Sequence, residues 1–279
     1  MSAAVATTPA GEAVAAAVDA LVAAGVSEPR LDAELLLADA TGWDRARIAA
    51  SPDEPLPPGA SREFAAMVRR RLRREPVAYI LGRKGFRRIE LAVDPRVLVP
   101  RPETELLVEV ALELEPANVI DVGTGSGAVA LAIADELPGA GVVGTDTSSG
   151  ALEVARANAE RLGLVERVRL AEGPLIDGGA ELLVANLPYV SEAEWEGLAP
   201  EIREHEPREA LVAGPTGLEA FESILAEIAG SSTSPPAIAL EVGAGQAEPV
   251  AELTRSAGYG ALEVRRDLAG IERVVVGQR

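Results

Sequence analysis

The segment Val-Ile-Asp-Val-Gly-Thr-Gly-Ser-Gly-Ala places Gly123, Thr124, Gly125, Ser126 and Gly127 where a short apolar run gives way to a helical pattern. Glycines there permit a tight turn and let a ligand approach backbone N–H groups and the positive end of a helix. Asp146 closes the next apolar run, 19 residues after Gly127, where a carboxylate accepts hydrogen bonds from both hydroxyls of a ribose. Strand, loop, helix, strand and acid in that order point to a nucleoside-containing cofactor rather than to a purely structural turn.

A second constellation, Asn186-Leu187-Pro188-Tyr189, follows the apolar run Leu182-Leu183-Val184-Ala185. In an open parallel sheet, ligands bind at the carboxyl ends of the strands, near the switch point beside the first strand. An amide, a restricted backbone and an aromatic face at such a place suit a planar substrate carrying an NH2 group. Asn186 Oδ1 and a backbone carbonyl are acceptors for its two N–H bonds, and Tyr189 packs on the planar group. The plain alternative is a turn that Asn186 caps and a strand that Pro188 ends.

Residues that far apart need a frame, and the chain offers one from Asn118 onward. Strand-length apolar runs at Val119–Val122, Val142–Thr145, Val168–Leu170, Leu182–Ala185 and Ala237–Val242 are joined by helical patterns such as Ala128–Leu137 and Ala151–Leu162. Such alternation predicts an α/β fold with a doubly wound, mostly parallel sheet covered on both faces. Leu262–Arg265 and Arg273–Val276 add an edge hairpin, which makes seven strands. Residues 1–75 read instead as a small helical bundle. A helix over Glu12–Ala24 ends at Gly25, and a second, capped by Ser27, runs from about Glu28 to Thr41. On a third, starting near Ser61, Phe64, Met67, Val68 and Leu72 share one face and leave Arg69, Arg70, Arg71, Arg73 and Arg74 mostly on a wet one. Residues 76–102 read as a linker with a β-hairpin within Phe86–Val99, and 103–279 hold the sheet.

Composition narrows the chemistry. With 48% hydrophobic and 25% charged residues the chain has an ordinary globular mixture. It has no cysteine and one histidine, His205, so thiolate cages, Cys nucleophiles, disulfides and multi-His metal sites are excluded and no metal is expected. His205, set among Glu201, Glu204 and Glu206, reads as part of a solvated face. No Lys or Arg precedes Arg30, and Asp19 interrupts the Ala/Val-rich stretch, so neither a signal peptide nor a spanning helix is expected and the cytoplasm is the expected compartment. The formal charge is -18, with 14 basic and 13 acidic residues in 1–100 against 12 and 31 in 101–279. So negative a field repels phosphate backbones, and direct nucleic-acid binding is not expected.

The cofactor stays open at this level. Gly123, Gly125 and Ala128 satisfy the dinucleotide fingerprint, which keeps an NAD-dependent oxidoreductase in play. The early third glycine, Gly127, and Asp121 inside the preceding strand look like the S-adenosylmethionine version of the loop.

Taken with the tetrapeptide, these motifs make the chain resemble the N5-glutamine methyltransferases of peptide chain release factors, the HemK family. The likeness covers Glu75–Gly82, Phe86, Val97–Glu105, Asp121–Gly127, Asp146, the Asn-x-Pro-Tyr site, Gly214–Leu218, Glu241-Val242-Gly243 with Gln246, and Asp267–Gly270 before Arg273. Pro100-Arg101-Pro102-Glu103-Thr104-Glu105 is its most specific part and separates it from adenine methyltransferases, which share the Asn/Asp-Pro-Pro-Tyr type of site. The resemblance implies a seven-stranded methyltransferase sheet over 103–279 and a substrate-docking helical bundle over 1–75. It implies methyl transfer from S-adenosylmethionine to the glutamine of a Gly-Gly-Gln loop, with Asn186, Leu187, Pro188 and Tyr189 at the chemistry. Gly123–Gly127, Asp146 and Asn186 are expected on the cofactor, and Arg101 and Glu103 beside the substrate as lid or positioning residues. The expected partner is a release factor, and a monomer is expected. Two positions depart from the family: Leu187 stands for a proline, keeping the carbonyl but not the fixed φ, and Pro174 stands where an acidic residue is usual, weakening adenine contact. An N6-adenine methyltransferase and a binding protein that keeps only the fold are the other readings.

Overall fold

The computed structural model describes residues 8–173, 179–231 and 233–279. They fall into two compact units, one of residues up to 82 with 200–205, the other of 83–199 with 206–279.

The first unit holds α1 (Ala10–Ala23), α2 (Pro29–Thr41), α3 (Arg45–Ala50), α4 (Ala60–Leu72) and α5 (Val77–Leu81). Leu21, Leu36, Leu37, Phe64, Val68 and Ile80 form its core. Gly42 ends α2 in the left-handed conformation that the sequence pattern expects. The expected Ser27 cap is not there: Glu28 holds the cap position with no side-chain bond, and Pro29, which has no N–H, removes one of the donors a cap would serve. Helix α3 is too short to show periodicity and was not expected. Asp44 caps it by accepting the Arg47 N–H at 2.7 Å.

The arginine run of α4 is not simply a wet face. Arg71 lies three residues after Val68 and seven after Phe64, on the same stripe, and is buried between Asp32 and Glu201, each at 2.7 Å. Arg74 reaches the other oxygen of Glu201 at 2.7 Å and the Ala24 carbonyl at 2.9 Å. Arg70 pairs with Glu75. His205 is half-buried with Nε2 3.0 Å from the Arg73 carbonyl, so the expected solvated face is a packed segment.

The second unit begins with the hairpin of β1 (Arg83–Phe86) and β2 (Ile89–Ala92), followed by α6 (Glu105–Leu114). The hairpin is earlier and shorter than expected, because Asp94-Pro95 stops the second strand and Val97 and Val99 are buried outside any strand. Then follow β3 (Asn118–Val122), α7 (Ala128–Glu136), β4 (Gly141–Asp146), α8 (Ser149–Leu162), β5 (Val168–Glu172), β6 (Leu182–Ala185), β7 (Val190–Ser191), α9 (Glu192–Trp195), α10 (Pro200–His205, in the first unit), β8 (Val212–Gly214), α11 (Glu219–Gly230), β9 (Ala237–Glu241), α12 (Ala247–Ser256), β10 (Ala261–Arg266) and β11 (Glu272–Gln278).

Seven strands form one sheet in the order β10-β11-β9-β6-β3-β4-β5, parallel from β9 to β5 with β11 antiparallel between β9 and β10. This is the doubly wound sheet with an edge hairpin that the sequence implies. Strands β6 and β9 are buried along their whole length, which their unbroken apolar runs require. The chain order reverses between β3 and β6, so the carboxyl ends of these two strands form the switch point. Asn158 of α8 fixes the surroundings. Its Oδ1 accepts the Ala92 N–H at 2.7 Å and its Nδ2 donates to the carbonyls of Ala92 and Ser126 at 3.0 and 2.9 Å.

Candidate active site

The glycine loop leaves β3 with Gly123, Gly125 and Gly127 at φ of 75°, 55° and 83°, values that side chains rarely adopt. The N–H groups of Gly123 and Thr124 both donate to the Thr145 carbonyl at 2.8 Å, which sets the loop against the end of β4. Asp146, the last residue of β4, accepts the Gly125 N–H at 2.9 Å on one oxygen and the Ser148 N–H at 2.9 Å on the other. A Cβ at Gly125 would meet nothing within 4 Å, so the loop is open at that point to whatever occupies the adjoining space.

Beneath the loop lies Asp121, 2% exposed, whose Oδ2 accepts the Thr124 hydroxyl at 2.6 Å and the Ala130 N–H at 3.1 Å. Burial pushes its carboxyl up to about 7, against the two hydrogen bonds and with a small addition from the Asp146 charge. Thr124 thus turns its hydroxyl to the protein while its backbone forms the loop.

The tetrapeptide follows β6. Ala185 pairs with Val122 of β3 and Leu240 of β9, so one step further Asn186 lies between Gly123 and Glu241. Asn186 Nδ2 donates to Thr104 Oγ1 at 3.1 Å. Leu187 is buried among Val122, Phe221 and Ile224, filling with an aliphatic chain the slot where the resemblance expects a proline. The Tyr189 carbonyl accepts Gln246 Nε2 at 2.9 Å, and Gln246 Oε1 accepts the Gly243 N–H at 2.9 Å. A Cβ at Gly217 would stand 2.5 Å from that Tyr189 carbonyl, so only glycine fits there. Burial pushes the Tyr189 phenol up to about 12, leaving it neutral.

Glu241 ends β9 and is 2% exposed. Burial pushes its carboxyl up to about 7; hydrogen bonding with the Thr104 hydroxyl opposes this, as do Arg273 and Arg101, while Glu103 adds to it. Its Oε2 has no hydrogen-bond partner. Arg101 pairs at 2.5 Å with the buried Glu206, whose other oxygen accepts the Val99 N–H at 3.0 Å.

A cavity of about 370 Å³ opens over these groups, in the range of small-molecule sites. Gly123–Ser126, Asp146, Asn186, Leu187, Pro188, Arg101 and Thr104 line it. Gly127 caps the helix behind the loop, and neither Tyr189 nor Glu103 is among the residues that line the cavity. Pro174 lies outside the described residues. Thr104, Glu206, Glu241 and Gln246 were not singled out from residue chemistry. A carboxylate ending an otherwise apolar strand, as Glu241 ends β9, is the signal that could have found Glu241.

A sheet of this order, a glycine loop open at Gly125, and a carboxylate at the end of the next strand together define an S-adenosylmethionine-dependent methyltransferase. The residues fit that cofactor: the Asp146 carboxylate is of the kind that accepts from ribose hydroxyls, and the open glycine loop lines the same cavity. Its cofactor is therefore not a nicotinamide dinucleotide.

A family model described as PrmC N-terminal domain matches residues 12–82, and one described as a methyltransferase domain matches 119–205. The release factor glutamine methyltransferase of Gloeobacter violaceus is 43% identical over 254 residues, 87% of this chain and 88% of its own. That of Moorella thermoacetica is 41% identical over 277 residues, 96% of this chain and 98% of its own. The solved hMettl16 catalytic domain in complex with MAT2A 3'UTR hairpin 6 has a TM-score of 0.57 at 15% identity, over 67% of this chain and 75% of that one, a likeness of fold alone. The chain belongs to the release factor glutamine methyltransferase family.

Proposed function

We propose that this chain methylates the side-chain amide nitrogen of the glutamine in the Gly-Gly-Gln motif of a peptide chain release factor. The observation that carries this reading is Asn186 on the cavity wall, held through Nδ2 by Thr104 with no bond recorded to its Oδ1 among the described residues.

An amide nitrogen is a poor nucleophile because its lone pair is delocalised into the carbonyl. Asn186 Oδ1 and the Leu187 carbonyl accept its two N–H bonds, which aims the nitrogen and stabilises positive charge developing on it. When bound, S-adenosylmethionine supplies an electrophilic methyl carbon on a sulfonium. Asn186 and the Leu187 carbonyl would hold the amide nitrogen toward that methyl group, and the proton released as the nitrogen is methylated would pass to water. Tyr189 packs on the planar group, and the neutral phenol adds no charge beside it. Arg101, fixed by Glu206, forms the rim that meets the substrate. The helical bundle docks the release factor, the enzyme works as a monomer in the cytoplasm without direct nucleic-acid contact, and its acidic second unit supports that exclusion.

The test is incubation with S-adenosylmethionine and an intact, unmethylated release factor, followed by mass spectrometry of the Gly-Gly-Gln peptide. One added methyl on that glutamine in wild type, absent with Asn186→Ala, is the expected result. Cofactor binding without any methyl gain on the glutamine overturns it.

A further inference from the structure

The Thr104 hydroxyl stands between two groups with opposite demands. A threonine hydroxyl has one proton and two lone pairs, an ionised carboxylate accepts only, and an amide offers both an oxygen and an NH2. The Thr104 hydroxyl favours the ionised form of Glu241, and an ionised carboxylate beside it, being an acceptor only, claims its single proton. Asn186 then meets only lone pairs and must turn its NH2 toward Thr104, as the 3.1 Å Nδ2 contact shows. The Asn186 oxygen is thereby left for the cavity. A flipped amide would present N–H against the N–H of a substrate amide, donor against donor.

We propose that Glu241, acting through Thr104, is a positioning residue that fixes the Asn186 amide with Oδ1 toward the methyl-accepting amide. The inference rests on the glutamine-amide substrate proposed above. Three observations support it. The strand register sets Glu241 beside Asn186. Glu241 is buried at the end of an otherwise apolar strand. Its Oε2 lacks a partner, a cost to folding that packing alone does not repay.

The arrangement depends on the charge of Glu241. Protonated, Glu241 becomes a donor to Thr104, whose own proton is then free to bond the Asn186 oxygen, and the orientation is lost. Arg101 and Arg273 favour the ionised form, while Glu103 and burial oppose it, and the Tyr189 phenol is neutral throughout this range. Turnover therefore falls as the pH drops through about 7.

The experiment compares wild type with Thr104→Val, Thr104→Ser and Glu241→Gln on the intact release factor, with kcat against pH and the S-adenosylmethionine Kd measured for each. Thr104→Val is expected to lower kcat about 100-fold, the scale of a misplaced reacting group, with the cofactor Kd within about threefold of wild type. Thr104→Ser, which keeps the hydroxyl, is expected to stay within about threefold in kcat, and Glu241→Gln to lose the acid limb of the pH profile. A Thr104→Val enzyme at near wild-type kcat, a Thr104→Ser enzyme as impaired as Thr104→Val, or a Glu241→Gln enzyme with the acid limb intact each overturns the inference. An inactive wild type that still binds cofactor overturns the substrate reading instead, and the inference with it.

Discussion

At the scale of single residues, the site is a set of buried polar groups whose charge states are set by their surroundings. Asp121 is the clearest case. Its carboxyl, ordinarily at 3.8, is pushed up to about 7 in the fold. Folding therefore favours the protonated form, so this residue's contribution to stability is most favourable below the ordinary value, declines as the pH rises through the interval, and levels off above about 7. Asp121→Asn keeps an acceptor and removes the titration. Relative to wild type it is expected to gain stability between about pH 4 and about pH 8 by a few kcal/mol, read as the difference in urea-unfolding free energies. A difference independent of pH would show that Asp121 does not titrate there. Leu187→Pro tests a separate point. The apolar slot that holds Leu187 keeps the backbone in place, so kcat on the release factor is expected to change by less than about threefold, whereas a rise of about tenfold would show that the leucine is a lesion. Residues within one local motif were legible in sequence: the three glycines, Asp146 and Asn186 each announce themselves by type and position. Thr104 was not, because its partner Asn186 is 82 residues away and no spacing rule reaches that far.

At the scale of elements, the sheet was readable and the connections less so. Apolar runs bounded by glycine and helical patterns located every strand of the main sheet, since buried parallel strands leave no other pattern. The first hairpin lies earlier than the pattern suggests because Val97 and Val99 are buried outside any strand, and a buried coil and a buried strand look alike in sequence. What holds that hairpin is Asn158, whose amide makes three hydrogen bonds to Ala92 and Ser126 and so joins β2, α8 and the glycine loop. Asn158→Leu leaves these buried backbone groups unpaired. The expected loss is about 2–4 kcal/mol in urea unfolding, at 1–3 kcal/mol per buried unsatisfied group less the gain from the apolar side chain. A weaker cofactor Kd should accompany it, because the Ser126 carbonyl is one of the anchors of the loop. Unchanged stability and affinity would show that α8 packing alone positions the loop.

At the scale of the whole molecule, the charge is uneven along the chain, near balance in residues 1–100 and strongly acidic beyond. That division falls at residue 100, whereas the first compact unit runs to residue 82. It could not reveal that residues 200–205 complete the N-terminal unit, because the link is a buried cluster drawn from 130 positions apart. Arg71 there is 5% exposed at its side chain and is paired on both sides, with Asp32 and with Glu201. Burial holds the Asp32 carboxyl above its ordinary value despite Arg71, whereas the bonds from Arg74 and Arg71 hold Glu201 below its own despite burial. Glu201 is thus the more firmly ionised partner of the two. Removing it leaves a guanidinium in the core of the unit with one carboxylate of weakened charge, a loss of about 3 kcal/mol on the scale of broken buried pairs. Glu201→Ala is therefore expected to raise hydrogen exchange throughout α2 and α4, which carry Asp32 and Arg71, while exchange in β3 and β4 stays as in wild type. If α2 and α4 keep their protection, the apolar core of Leu36, Leu37, Phe64 and Val68 holds this unit without the ionic cluster.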